Sequence, residues 1–283
     1  MKAVLCKTLG PARDLVLEDV ASPQPRKNEI LLDVRAAGVN FPDTLIIEGK
    51  YQFQPPLPFS PGGEAAGVVA AVGEKAAFGM TYGTSMHALR QRGQLQAGET
   101  LLVLGASGGV GLAAVEIGKA MGARVIAAAS SAEKLAVAKA AGADELIDYT
   151  QASLREEIKR LTGGQGVDVI YDPVGGELFE QAVRGLAWNG RLLVVGFASG
   201  SIPQLAANLV LLKGAAVLGV FWGAFAQRQP EDNAANFKQL FAWHAEGKLK
   251  PLVSQTYPLA EAGAAIEKLG QRQAVGKLVV LMH

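Results

Sequence analysis

One cysteine in 283 residues, Cys6, excludes an intrachain disulfide and any cysteine-rich zinc site. Histidine is nearly as scarce. His87, His244 and His283 have no cysteine or histidine neighbour at ligand spacing, so the sequence predicts no metal site. Neither sign of charge is in excess. Lys+Arg 27 against Asp+Glu 26 leaves a formal net charge of +1, which removes the electrostatic case for nucleic acid or an anionic membrane as partner. No apolar run reaches the ~20 residues that a membrane helix needs. The opening MKAVLCKTLG alternates like a strand and has no signal-peptide core with a small-residue cleavage site, which predicts a cytoplasmic protein.

Hydrophobic residues make up 49% of the chain, enough for one large domain or two ordinary ones. Many of the 34 glycines fall at the ends of apolar runs, as tight strand-to-helix turns require. The middle of the chain is the most regular part. TLLVLG (100 to 105) reads as a strand buried on both faces, followed by a helix from Gly109 to about Met121. Strand RVIAAA, helix AEKLAVAKAAG, strand ELIDY, a helix over 154 to 161, strand VDVIYD, helix ELFEQAVRGL and strand RLLVVGF come next. LLKGAAVLGVFW contains a further strand. This alternation predicts an α/β fold with a doubly wound parallel sheet. MKAVLCK, LVLEDV and EILLDVRAAGV form a separate β-rich start, with no strong helix between them. SQTYPL, helix EAGAAIEKL and strand GKLVVLM close the chain.

Between the first central strand and its helix, glycines at 105, 108 and 111 give the spacing G-x-x-G-x-x-G. Missing side chains let a pyrophosphate approach the backbone, and the helix N-terminus offers it unpaired N–H groups. A lone glycine turn can also be a tight connection; the flanking strand and helix favour the nucleotide. NAD enzymes place an acid at the end of the second strand. Here that strand ends Ala127-Ala128-Ala129-Ser130-Ser131, without one. Ser130, Ser131 and Lys134 would present hydroxyls and a cation to a 2′-phosphate, so NADPH is expected over NADH.

The segments AAGVNFPDTLIIEGKY (36 to 51), PGGEAAGVV (61 to 69), MTYGTSMHAL (80 to 89), GASGGVG, DPVGG (172 to 176), VVGFASG (194 to 200), GVFWG (219 to 223) and GKLVVL occur in one order. Together they resemble the zinc-free medium-chain dehydrogenase/reductases of the zeta-crystallin-like NADPH:quinone oxidoreductase group. The resemblance implies a GroES-like catalytic domain over 1–80, a Rossmann-type NADPH-binding domain over 81–250 and a return to the catalytic domain over 251–283. It implies hydride transfer to a quinone or activated enone without metal. Gly63 stands where zinc alcohol dehydrogenases carry a ligand histidine. By position, the resemblance places Asn40 and Tyr51 beside nicotinamide and substrate, and Phe221 and Trp222 at the substrate cleft. It places Ser107, Gly108, Gly109 and Val110 at the pyrophosphate, and Ser130, Lys134 and Tyr149 at the 2′-phosphate. Gly196, Phe197, Ala198 and Lys277 fall near the nicotinamide end. A homodimer joined through the edge of the Rossmann-type sheet is implied as well. Reduction of an unsaturated thioester, and cofactor binding with little turnover by an RNA-associated relative of zeta-crystallin, are the alternatives.

One junction departs from the pattern. Family members have a few dozen additional residues where only Gly73, Glu74 and Lys75 join an apolar strand ending at Val72 to a helix expected from Ala76. Either a segment of the natural chain is omitted here, or the catalytic domain is truly shortened, with exposed strand edges. Omission predicts a Cα separation near Glu74 and Lys75 far above the roughly 3.8 Å of bonded neighbours.

Overall fold

Unbroken apolar runs become parallel strands, glycine ends become turns, and charged amphipathic stretches become the covering helices. The structure is a computed structural model and describes residues 1–23, 30–72 and 79–282. Its elements, in chain order, are β1 Lys2–Leu5, β2 Val16–Asp19, β3 Ile30–Val39, α1 Phe41–Ile47, β4 Glu64–Val72, and α2 Met80–Met86 running into a π-helical turn, His87–Arg92. Next come β5 Thr100–Leu104, α3 Gly109–Ala120, β6 Arg124–Ala129, α4 Ala132–Ala140, β7 Glu145–Asp148 and α5 Leu154–Leu161. Then follow β8 Val167–Asp172, α6 Glu177–Arg184, β9 Leu186–Val194, α7 Ala207–Lys213, β10 Ala216–Gly219 and α8 Trp222–Arg228. The last are α9 Pro230–Ala245, β11 Val253–Pro258, α10 Ala262–Gly270 and β12 Lys277–Leu281. The chain divides into two compact units, Thr81–Pro251 and Met1–Met80 with Leu252–His283.

The unit Thr81–Pro251 holds a six-stranded parallel sheet of order β10-β9-β8-β5-β6-β7. The chain builds outward from β5 to β7, then returns to β8 on the other side of β5 and builds outward again. β5 and β8 therefore flank the topological switch point, where open α/β sheets bind their ligands beyond the strands' carboxyl ends. Alternate residues serve two cores. Leu101, Val103, Val125 and Ala127 pack on one face, and Leu102, Leu104, Ile126 and Ala128 on the other. Both sets are fully buried, which is why these strands show no polar alternation. α5 covers its side with Leu154 and Ile158, one helical turn apart.

The other unit holds a four-stranded sheet of order β11-β12-β3-β4 and a two-stranded antiparallel sheet, β1-β2. β12 lies between β11 and β3, so the end of the chain completes a sheet whose other half was laid down before residue 73. Its core gathers Val4, Cys6, Ile47, Tyr257, Ile266, Leu278 and Val280.

One expected helix start is corrected, and other elements are located. Gly79 has φ +71°, a non-helical value, so the helix expected from Ala76 starts at Met80. Tyr82, Met86 and Leu89 lie on α2 and its π-helical continuation; Phe78 lies outside the described residues. In the N-terminal unit a helix, α1, follows β3, with Pro42 in its first turn. The strand expected within LLKGAAVLGVFW is Ala216–Gly219; the stretch before it is helical, and Gly214, at φ +56°, ends that helix. The 16-residue helix α9 went unread: only Asn236 and Leu240 of it are buried, too narrow an apolar stripe to show as periodicity. The expected break near Glu74 and Lys75 lies outside the described residues.

Candidate active site

The glycine loop sits at the switch point, between β5 and α3. Gly105 has φ +59°, a left-handed value that glycine adopts without strain. A Cβ on Gly111 would lie 2.2 Å from the Gly105 carbonyl oxygen, so helix and turn can close only if position 111 carries no side chain. The loop is tied to the neighbouring strand by the Ala106 N–H, which donates to the Ala128 carbonyl at 3.1 Å. α3 begins at Gly109 and runs for 12 residues, with no side chain capping its N-terminus. The N–H groups of Gly109 and Val110 thus lack helical acceptors, as an anion site requires. Ser107 is buried at the loop's centre.

A second layer fixes this helix start. The Ser85 hydroxyl donates to the Val110 carbonyl at 2.9 Å, which commits its proton. The Tyr171 hydroxyl, 2.8 Å away, must then donate to Ser85. Burial pushes the Tyr171 phenol up, so it stays a neutral donor. Further along α3, the buried Glu116 carboxylate accepts from the Tyr82 hydroxyl at 2.5 Å and from the Lys250 N–H at 3.0 Å. No residue pattern announces Ser85, Tyr171 or Glu116, because their roles arise from pairings 25 to 134 positions apart.

At the ends of β6 and β7, Lys134 Nζ donates to Ser130 Oγ at 3.1 Å. The Tyr149 N–H donates to the Ala129 carbonyl, which brings Tyr149 beside the same strand end. The Ser131 hydroxyl accepts from the Lys134 N–H at 3.3 Å as the cap of α4, so it also holds the helix that carries Lys134.

On the other side of the switch point two loops are stitched together. Asp172, at the end of β8, is 1% exposed and accepts from the Val174 and Gly175 N–H groups at 2.8 and 2.9 Å. Burial raises its pKa, with these two bonds opposing. Val195 and Gly196 donate to the Asp172 carbonyl, and Ala198 to that of Pro173. Gly196, Phe197 and Ala198 are thereby held alongside the DPVGG turn. Phe221 is exposed at the start of α8, whereas Trp222 is engaged: its indole N–H donates to Asn233 Oδ1 at 3.0 Å and its ring covers Gly83.

In the other unit, Asn40 and Lys277 meet at a residue not singled out from the sequence. Glu64 Oε2 accepts from Asn40 Nδ2 at 3.3 Å and from the Lys277 ammonium. Both members of the ion pair are largely buried, at 12% and 13% side-chain exposure. Asp43 caps α1 by accepting from the Asn40 N–H at 2.7 Å. Its carboxyl is pushed up to about 6, first by burial and further by the Glu64 charge, against the bonds from Asn40 and Gly62 and the charge of Lys277. Tyr51 is half-buried; burial and then the Asp43 charge raise its phenol pKa. At Gly63 a Cβ would meet Met80 Cε at 2.5 Å. Among the described residues no group of three or more His, Cys, Asp or Glu side chains is placed to hold a metal ion.

A doubly wound sheet with a glycine loop at its switch point, in a chain that also holds a β-rich unit built from both of its ends, defines a dinucleotide-dependent dehydrogenase/reductase. Residues 26–117 match the alcohol dehydrogenase GroES-like domain, and residues 109–242 match the family described as zinc-binding dehydrogenase. A quinone oxidoreductase-like protein 2 homolog from Nematostella vectensis is 34% identical over 325 residues, 99% of this chain and 88% of that protein. The aligned span exceeds the chain's own 283 residues, so that relative carries internal residues this chain lacks. The quinone oxidoreductase of Thermus thermophilus, solved also as its NADPH complex, matches with TM-score 0.86 and 34% identity over 100% of both chains. The Escherichia coli quinone oxidoreductase complexed with NADPH matches with TM-score 0.90 and 27% identity over 100% of both. The chain belongs to the medium-chain dehydrogenase/reductase family of oxidoreductases, among its quinone oxidoreductase-like members.

Proposed function

We propose that the protein is an NADPH-dependent reductase of quinones or activated enones that works without a metal. The observation that carries this reading is the glycine loop at the β5/β8 switch point, with a cation and no acid at the end of β6. The residues fit the cofactor. Gly105, Gly108 and Gly111 leave the space that a pyrophosphate needs, Ser107 and the N–H groups of Gly109 and Val110 hold it, and Lys134 with Ser130 and Tyr149 takes the 2′-phosphate. NADPH, when bound, supplies the hydride.

The chain's own contribution is placement. Ser85 and Tyr171 fix the start of α3, and Asp172 fixes the loop of Gly196, Phe197 and Ala198. Asn40 and Tyr51 serve the acceptor. Tyr51 keeps its proton because burial and the Asp43 charge both disfavour the phenolate, so it can hold a hydrogen bond on an acceptor oxygen. Lys277, locked to Glu64, acts as a fixed cation near the nicotinamide end. Phe221 and Trp222 shape the acceptor cleft. The domain limits are 1–80, 81–250 and 251–283.

A homodimer through the β10 edge belongs to the same proposal. Trp188, Ile202, Leu211 and Leu212 expose apolar surface on and near β9 and α7, which a second copy would cover. Light scattering at micromolar concentration reads a dimer mass; a monomer mass contradicts it. For the activity, NADPH consumption with 9,10-phenanthrenequinone, set beside crotonyl-CoA and an RNA-binding assay, separates this reading from thioester reduction and from binding without turnover.

A further inference from the structure

We propose that Asp43 and Glu64 are positioning residues that hold Asn40 from two sides, and that protonation of Asp43 releases one of the two holds. The inference rests on the reading that Asn40 serves the acceptor.

Asn40 and Asp43 are 5% and 2% exposed, so water cannot replace a lost partner cheaply. Asn40 is fixed at its backbone by the Asp43 carboxylate, at 2.7 Å, and at its side chain by Glu64 and by the Gly38 carbonyl, each at 3.3 Å. The Glu64 carboxylate has a built place. A Cβ on Gly38 would lie 2.0 Å from its Oε2, so the absent side chain at 38 is the space that the carboxylate fills. The same oxygen takes Lys277. Two carboxylates thus share one cation within a buried cluster, an arrangement in which the carboxylate without the direct ion pair takes up a proton most readily.

That group is Asp43. The groups that act on it are Glu64 from β4, Lys277 from β12, Tyr51, and the N–H groups of Asn40 and Gly62. A neutral carboxyl accepts the Asn40 N–H with about half the strength of a carboxylate. Protonation therefore loosens the first turn of α1, and with it Asn40, while the side-chain hold of Glu64 remains. A cap needed only for stability could be a hydroxyl or an amide with no pH response. An acid that titrates near neutral pH couples Asn40 to the proton supply that a two-electron reduction consumes.

The test is a carboxyl carbon NMR titration of the full-length protein, with the Asn40 side-chain amide followed in parallel. Asp43→Asn identifies the resonance. The expected wild-type midpoint is about 6. Glu64→Gln removes a like charge and should lower it by about one pH unit; Lys277→Met removes the cation and should raise it. In each protein the Asn40 amide signal should follow the Asp43 midpoint. In turnover, kcat of the wild type should fall as pH drops through that midpoint. The fall should move to lower pH in Glu64→Gln. An identical Asp43 midpoint in all three proteins, or an Asn40 amide that ignores the titration, would overturn the proposal. Absence of turnover in the wild type would defeat the functional reading alone, since the NMR titration still decides the coupling.

Discussion

Replacing Asp43 by Asn should change how stability depends on pH. The carboxyl moves from 3.8 to about 6 on folding, chiefly because its charge is taken out of water. A rise of that size corresponds to about 3 kcal/mol. The folded protein binds the proton more tightly than the unfolded chain does. Asp43 therefore lowers stability by the full amount above pH 6, and the cost is relieved as pH falls through 6 toward 3.8. Asn has no charge to bury at any pH and keeps an oxygen for the Asn40 N–H. Relative to the parent, the variant should gain about 2 kcal/mol between about pH 4 and about pH 7. Only the difference between the two proteins is informative. Glu99 and Asp144 are held below the usual carboxylate range in spite of burial, Glu99 by Arg191 and Asp144 by Lys119, and so contribute the opposite slope to both. Urea unfolding followed by circular dichroism reads the difference. A difference that stays constant over this range, or shrinks toward neutral pH, would refute the reasoning.

Lys134→Ala should weaken NADPH by about tenfold, equivalent to about 1.4 kcal/mol for a charge-assisted phosphate contact, and leave NADH unchanged; fluorescence titration of both cofactors checks this. Glu116→Ala removes the acceptor of the Tyr82 hydroxyl and of the Lys250 N–H. It should cost about 2 to 4 kcal/mol in chemical denaturation, with Glu116→Gln recovering part of the loss.

The parallel sheet was legible because its strands are buried on both faces and punctuated by glycine. Helix α5 was read over the residues it occupies, since Leu154 and Ile158 bury one face and charges cover the rest. α7, α8 and α9 were not readable in the same way. Leu211 and Leu212 are exposed, so their apolar character marked no core. The glycine loop was visible because its chemistry is local. The support around it was not. Ser85, Tyr171 and Glu116 act across sheet and helix, and an isolated Ser, Tyr or Glu in the sequence does not reveal its partner. Glu64 lay in a motif noted for its missing histidine, while the carboxylate next to it joins Asn40 to Lys277.

The most direct measurement is NADPH oxidation by the purified protein with 9,10-phenanthrenequinone, alongside NADH with the same acceptor and NADPH with crotonyl-CoA. Quinone-dependent consumption of NADPH, slower consumption of NADH, undiminished turnover after chelation, and little reaction with the thioester are expected. Equal rates with both cofactors, a faster reaction with crotonyl-CoA, or no turnover with any acceptor would contradict the proposed function.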